Sequence, residues 1–213
     1  MTDAEVNRTG YISLAGEGEA RLEVKHSVFI AHASPVKSDE EARGYLQKIK
    51  REYSDAKHNC YAYVIKDGNF SRYSDDGEPG GTAGLPIMNV IKGRDVTNAV
   101  VVVTRYFGGI LLGTGGLVRA YTDSASAALE AARPALFSLH DIIFVRASYS
   151  DYQKLSYEIS RAGALTDDVK FEGDVKLTLS VKREASAAFS SRISEITAGR
   201  AEISRVGERF FHE

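Results

Sequence analysis

Ala99-Val-Val-Val-Val-Thr-Arg-Tyr-Phe-Gly-Gly-Ile-Leu-Leu-Gly-Thr-Gly-Gly-Leu-Val-Arg-Ala120 opens with an unbroken β-branched run, Val100 to Val103. A strand buried on both faces carries such a run, because neither face is left for polar side chains. Thr104, Arg105, Tyr106 and Phe107 follow, so a cation and two aromatics arrive where the strand reaches the surface. Gly108, Gly109, Gly113, Gly115 and Gly116 then put five glycines into nine residues. That density costs conformational entropy and implies backbone where a Cβ has no room. The reading is a buried strand, a glycine loop and an Ala-rich helix from Gly116 to Ala132. Such an arrangement is a natural site for an anion or a partner's backbone.

Outward from this stretch, the N-terminal side reads as mixed strands and helices. Residues 1–19 are expected to form a loose arm. Arg21 to Val24 and Val28 to Ala33 are expected to pair as strands. Ser38, with Glu41 three residues on, forms a capping box, and Ala42, Tyr45, Leu46, Ile49 and Tyr53 share one helix face. Cys60 to Ile65 is expected as a strand, Asp67-Gly68-Asn69 as its turn and Phe70 to Ser74 as its hairpin partner. Asp75 to Gly84 is a polar glycine loop, and Leu85 to Ile91 a helix with Pro86 in its first turn. Beyond Pro134 the order is strand His140–Tyr149, helix Tyr152–Ala162, strand Leu165–Phe171, strand Val175–Val181, helix Phe189–Ile196 and strand Ala201–Phe210. A slip of phase is expected near Gly207. This is β-α-β-β-α-β, the ferredoxin-like order. The whole chain reads as α+β, with residues 1–136 as one domain and 137–213 as another.

Composition narrows the function classes. The chain has 213 residues, 43% hydrophobic and 26% charged, in the ordinary globular range. No apolar run approaches the roughly 18 residues of a membrane span, and the N-terminus lacks a hydrophobic signal core. The single cysteine, Cys60, excludes an internal disulfide and a CxxC metal knuckle. A cytoplasmic protein with no membrane partner is expected. Net charge of −2 argues against a surface that grips duplex DNA.

Four constellations invite chemistry. The glycine loop lacks the Gly-Lys-Ser/Thr of a phosphate loop and the full dinucleotide spacing, so either packing or a bound phosphate explains it. Asp75, Asp76 and Glu78 could suit an oxygen-ligated cation or an acid/base pair, but no EF-hand spacing follows and the composition is first of all that of a structural turn. His58 and Cys60 lie two apart on one strand face, which invites a thiolate–imidazole reading; a lone cysteine is more often a small buried hydrophobe. Arg105, Tyr106, Phe107 and Arg119, with Lys92 and Arg94, make a basic-aromatic patch for RNA. Alternatively, Arg105 pairs with the acidic loop.

Lys57-His-Asn-Cys-Tyr-Ala62, Ser74-Asp-Asp-Gly-Glu-Pro-Gly-Gly-Thr-Ala-Gly84 and Thr104 to Tyr121 resemble the signature blocks of the IMPACT/YigZ family. The resemblance covers roughly residues 17–134, and the tail is similar to the C-terminal domain of bacterial members. Gly80 and Leu85 depart from the family pattern, which usually has Ser and often Lys there. The resemblance implies a ribosomal-protein-type β-α fold, shared with the fourth domain of elongation factor G, before the ferredoxin-like domain. The eukaryotic members' contact with the Gcn1 scaffold runs through an N-terminal domain that bacterial-type members lack, so it is not carried over.

The expectation is a translation-related regulator, acting without catalysis and docking on a ribosome or structured RNA. The expected contact residues are Arg105, Tyr106, Gly108, Gly109, Gly113, Gly115, Gly116 and Arg119, shaped by Asp75, Asp76 and Glu78. No catalytic residue, metal or cofactor is expected. A hydrolase or phosphate-ligand enzyme using the groove between the two glycine segments, with Asp75, Asp76 or Glu78 as base, is the alternative. A protein-binding module is the third reading.

Overall fold

The computed structural model describes residues 10–66 and 69–212. Residues 1–9 of the expected arm, and Asp67 and Gly68 of the expected hairpin turn, lie outside the described residues. The structure is a mixed α+β fold that divides into two compact units, residues 11–136 and 137–213, with Gly10 grouped with the second.

In the first unit, β1 (Gly10–Leu14) and β2 (Gly18–Val24) replace the C-terminal half of the expected arm. Ile12 carbonyl accepts from Thr97 N at 2.9 Å, and Ala15 N donates to Arg133 carbonyl at 2.9 Å, so this segment is tied down by backbone bonds. β3 (Ser27–Pro35) leads to α1 (Asp39–Glu52). There Ser38 accepts from Glu41 N at 3.1 Å, and Glu41 returns a bond to Lys37 N at 2.7 Å. β4 (His58–Ile65), β5 (Phe70–Ser74), α2 (Gly84–Gly93), β6 (Ala99–Tyr106) and α3 (Gly113–Ala131) complete it. The sheet order is β2-β3-β6-β4-β5, antiparallel throughout.

The valine run sits at the centre of this sheet. Val101 and Val103 pack on the α2 and α3 side, while Val100 and Val102 face Ala42, Leu46 and Ile49 of α1. Alternation of side chains along a strand splits a four-valine run between two cores. Ala120, Ala125 and Ala128 on α3, and Ala132 at its C-cap, are at most 2% exposed. They let the helix approach closely: a Cβ on Gly18 would stand 2.2 Å from Ala132 N. One expectation fails here. α3 starts at Gly113, so Gly113 to Gly116 form its first turn and not a loop before it.

The second unit runs β7 (Pro134–Ala147), α4 (Tyr149–Arg161), β8 (Leu165–Phe171), β9 (Val175–Lys182), α5 (Arg183–Ile196) and β10 (Glu202–Phe211). Its strands lie in the order β10-β7-β9-β8, all antiparallel. Ile143, Val145, Leu177 and Leu179 pack with Leu155, Ile159, Phe189 and Ile193 into a separate core. The register slips between Arg205 and Gly207, a bulge where the phase of the sequence pattern breaks. Tyr149 belongs to α4 and is half exposed, so the strand ends at Ala147 and not at Tyr149 as expected.

Candidate functional site

The Asp75–Gly84 loop follows β5 and runs across the end of the sheet into α2. Each of its three carboxylates has a job inside the protein. Asp75 Oδ1 accepts from Ala83 N at 3.0 Å and Gly84 N at 2.8 Å, and Oδ2 accepts from Gly81 N at 2.9 Å. It thereby serves as the anion at the N-terminus of α2. Burial works against its charge, but these backbone donors hold its carboxyl below the ordinary value. Asp76 accepts from Asn59 N at 2.7 Å and from Lys50 Nζ at 2.8 Å. Glu78 turns inward, its side chain 3% exposed, and meets Arg105 Nη1 at 2.7 Å.

These bonds favour the structural-turn reading of the loop. Asp75, with three backbone N–H groups on its carboxylate and its carboxyl held below the ordinary value, is a poor base. Among the described residues no cluster of His, Cys, Asp and Glu is arranged to hold a metal ion.

Arg105 is likewise not a surface cation. β6 delivers it to the α2 and α3 side of the sheet, where its side chain is 7% exposed. Its guanidinium lies over the rings of Phe29 and Phe107, at 5.5 and 5.6 Å from their centroids. Tyr121 on α3, which periodicity marks only as part of an apolar stripe, donates its hydroxyl to the same Glu78 oxygen at 2.8 Å. Of the two readings of Arg105, pairing with the acidic loop is the one observed.

Cys60 is buried. Its thiol donates to Asp75 carbonyl at 2.9 Å and lies 3.4 Å from Tyr121 hydroxyl. Burial pushes its pKa up to about 12, only partly countered by the Tyr121 hydroxyl. It is a thiol at neutral pH and no nucleophile. His58 Nδ1 sits 2.9 Å from Asp76 carbonyl, so it too is committed to the loop.

The glycines divide into two groups. A Cβ on Gly108 would stand 2.0 Å from the carbonyl carbon of His26, and its N–H donates to Ser27 Oγ at 3.2 Å. Gly108 is therefore required for packing. Gly109 and Gly113 have φ of +84° and +72°, and around them and Gly115 there is open space. Gly116 is tighter, 3.1 Å from Leu112 Cβ. No side chain caps the start of α3 and no acidic residue stands in its first turn. Phe107 (54%), Ile110 (45%) and Leu111 (83%) are exposed beside it. Arg119 is 86% exposed, 3.9 Å from Asp123. Tyr106 hydroxyl donates to Asp55 at 2.7 Å, and Arg94 is held by Ser126 at 2.6 Å. The structure thus leaves Arg119, Gly109, Gly113 and Gly115 at the surface and takes Arg105, Gly108 and Glu78 inside.

The Impact N-terminal domain model matches residues 25–129, and a domain of unknown function, DUF1949, matches 145–200. The chain is 37% identical over 194 residues to IMPACT family member YvyE of Bacillus subtilis, covering 91% of this chain and 89% of that one. It is 29% identical to IMPACT family member YigZ of Escherichia coli, over 87% and 93% of the two chains. Similarity to Protein IMPACT of Oryctolagus cuniculus is 37% over 42% of this chain and 29% of that protein. A solved structure titled as that of a hypothetical protein aligns with a TM-score of 0.60 and 27% identity, over 93% and 98% of the chains.

Proposed function

The chain belongs to the IMPACT family, and from that premise we propose that it is a cytoplasmic, translation-related regulator that docks on a ribosome or structured RNA without performing chemistry. The observation that carries this reading is that each carboxylate of the conspicuous acidic loop, and the one cysteine, is engaged by groups of the protein itself. What remains at the surface is a docking face: the uncapped start of α3, the exposed Phe107, Ile110 and Leu111, and Arg119. Arg105 supports that face from beneath. We read residues 1–136 as an IMPACT-type domain of the ribosomal-protein kind, similar to the fourth domain of elongation factor G. We read 137–213 as ferredoxin-like, a reading favoured by the order β10-β7-β9-β8 with both helices packed on one face. No helix among the described residues is long and apolar enough to cross a membrane.

A protein-binding module is the second reading, favoured by the 83% exposure of Leu111. One experiment addresses both. Wild type and Leu111→Asp/Arg119→Glu are run with cell lysate through sucrose gradients at low and moderate salt. Docking predicts that wild type migrates with ribosomal subunits and that the variant, with Arg105 untouched so that the core survives, stays at the top. A partner retained after ribonuclease treatment points to protein as the target. Wild type confined to the light fractions at every salt ends the ribosome reading.

A further inference from the structure

Between Gly77 and Gly81 the acidic loop is exposed at Gly77, Pro79, Gly80 and Gly81, and buried at Glu78 alone. Gly77 and Gly81 bracket this flap with φ of +89° and +77°. Glu78 is thus one carboxylate plugged into the protein from an otherwise solvent-facing flap.

The socket it fills offers more donors than it uses. Arg105 gives Nη1 to Glu78 Oε1 at 2.7 Å, its Nη2 reaches Ser27 Oγ only at 3.5 Å, and its Nε is buried with no hydrogen-bond partner. Tyr121 hydroxyl converges on the same single oxygen. Ser27 Oγ accepts from Arg105 and from Gly108 N, so its own proton remains to be given. A guanidinium ordinarily meets a carboxylate through two parallel bonds, and here it makes one. Two residues thus engage the Glu78 carboxylate through one oxygen, and a third donor, Ser27, stands beside the same guanidinium.

We propose that Arg105, Tyr121 and Ser27 form an oxyanion site whose built-in occupant is Glu78, and that a phosphate group takes its place when the flap Gly77–Gly81 swings outward. A phosphate presents at least one acceptor oxygen for each of the three donor residues, which the Glu78 carboxylate at this distance does not. A phosphate that replaces Glu78 keeps the guanidinium paired, whereas loss of Glu78 with nothing in its place would leave the Arg105 charge buried and unpaired. The ligand is a phosphate ester or free phosphate. The exchange does not rest on the docking reading above, since a small phosphate can enter whether or not the protein meets a ribosome.

The test is amide hydrogen exchange on the wild-type chain with inorganic phosphate, with a single-stranded oligoribonucleotide, and with sodium chloride at matched ionic strength. Exchange of the amides in residues 76–82 several-fold faster with phosphate than with chloride is the expected result. Acceleration by the oligoribonucleotide alone assigns the phosphate to an RNA backbone, and acceleration by neither overturns the proposal. Glu78→Ala supplies a second readout: phosphate is expected to raise its melting temperature, and Tyr121→Phe in the same background to reduce that rise. If acetate stabilises Glu78→Ala as well as phosphate does while the wild-type flap is unmoved, Glu78 is a fixed structural partner and the proposal fails. If Glu78→Ala does not fold, the wild-type exchange decides alone.

Discussion

Single residues in this protein are governed by what surrounds them more than by what they are. His32 on β3 is 6% exposed, between Glu19 Oε2 at 3.9 Å and the Tyr53 ring at 5.3 Å. Glu17 and, on α1, Lys48 and Glu52 also act on its charge. Burial lowers its pKa from 6.5 despite the nearby Glu19 and Glu52. The folded state therefore takes up a proton less readily than the unfolded chain. Stability is complete above the unfolded value and falls as pH drops below it. Urea midpoints are expected to decrease between about pH 7 and about pH 5, and His32→Gln to flatten that part of the decrease; an unchanged slope in the variant removes His32 as its source. Gly108 shows the same dominance of context. Its neighbour Gly109 has open space around it, whereas a methyl group at Gly108 would overlap the His26 backbone. Sequence alone shows two adjacent glycines.

At the scale of elements, periodicity located the strands and helices well because their faces are loaded with apolar residues at the right spacing. The valine run became the central strand, and the Ser38 capping box started α1 where Ser38 and Glu41 indicate. The sequence pattern places the start of α3 one turn late, because glycine-rich sequence favours neither helix nor loop until packing chooses. Here Leu117, Ala120 and Tyr121 anchor the helix in the core, and the turn before them extends it. Gly115 follows as a test. It has no positive φ and no atom within 4 Å of a Cβ placed on it. Gly115→Ala is expected to stabilise the protein by about 0.5–1 kcal/mol in urea denaturation. A loss of stability would mean that this turn is not helical in solution.

At the scale of the molecule, the two units have cores with no residue in common. Leu177, 1% exposed on β9, lies in the second. Leu177→Ala is expected to cost about 2–5 kcal/mol and to be read in hydrogen exchange as lost protection in β7 and β9. Protection of β6 should persist; its loss together with theirs would show that the units unfold as one. The sequence by itself determined the α+β class, the β-α-β-β-α-β order of the second unit and the family, since these follow from local periodicity and contiguous motifs. The tertiary structure alone decided that Arg105 belongs to Glu78, that Tyr121 is a hydroxyl donor as well as an apolar residue, and that Leu111 faces solvent. Arg105 and Glu78 stand on different elements, 27 residues apart. No period links such positions, and only the folding of β6 beneath the acidic loop brings the two charges into one dry site.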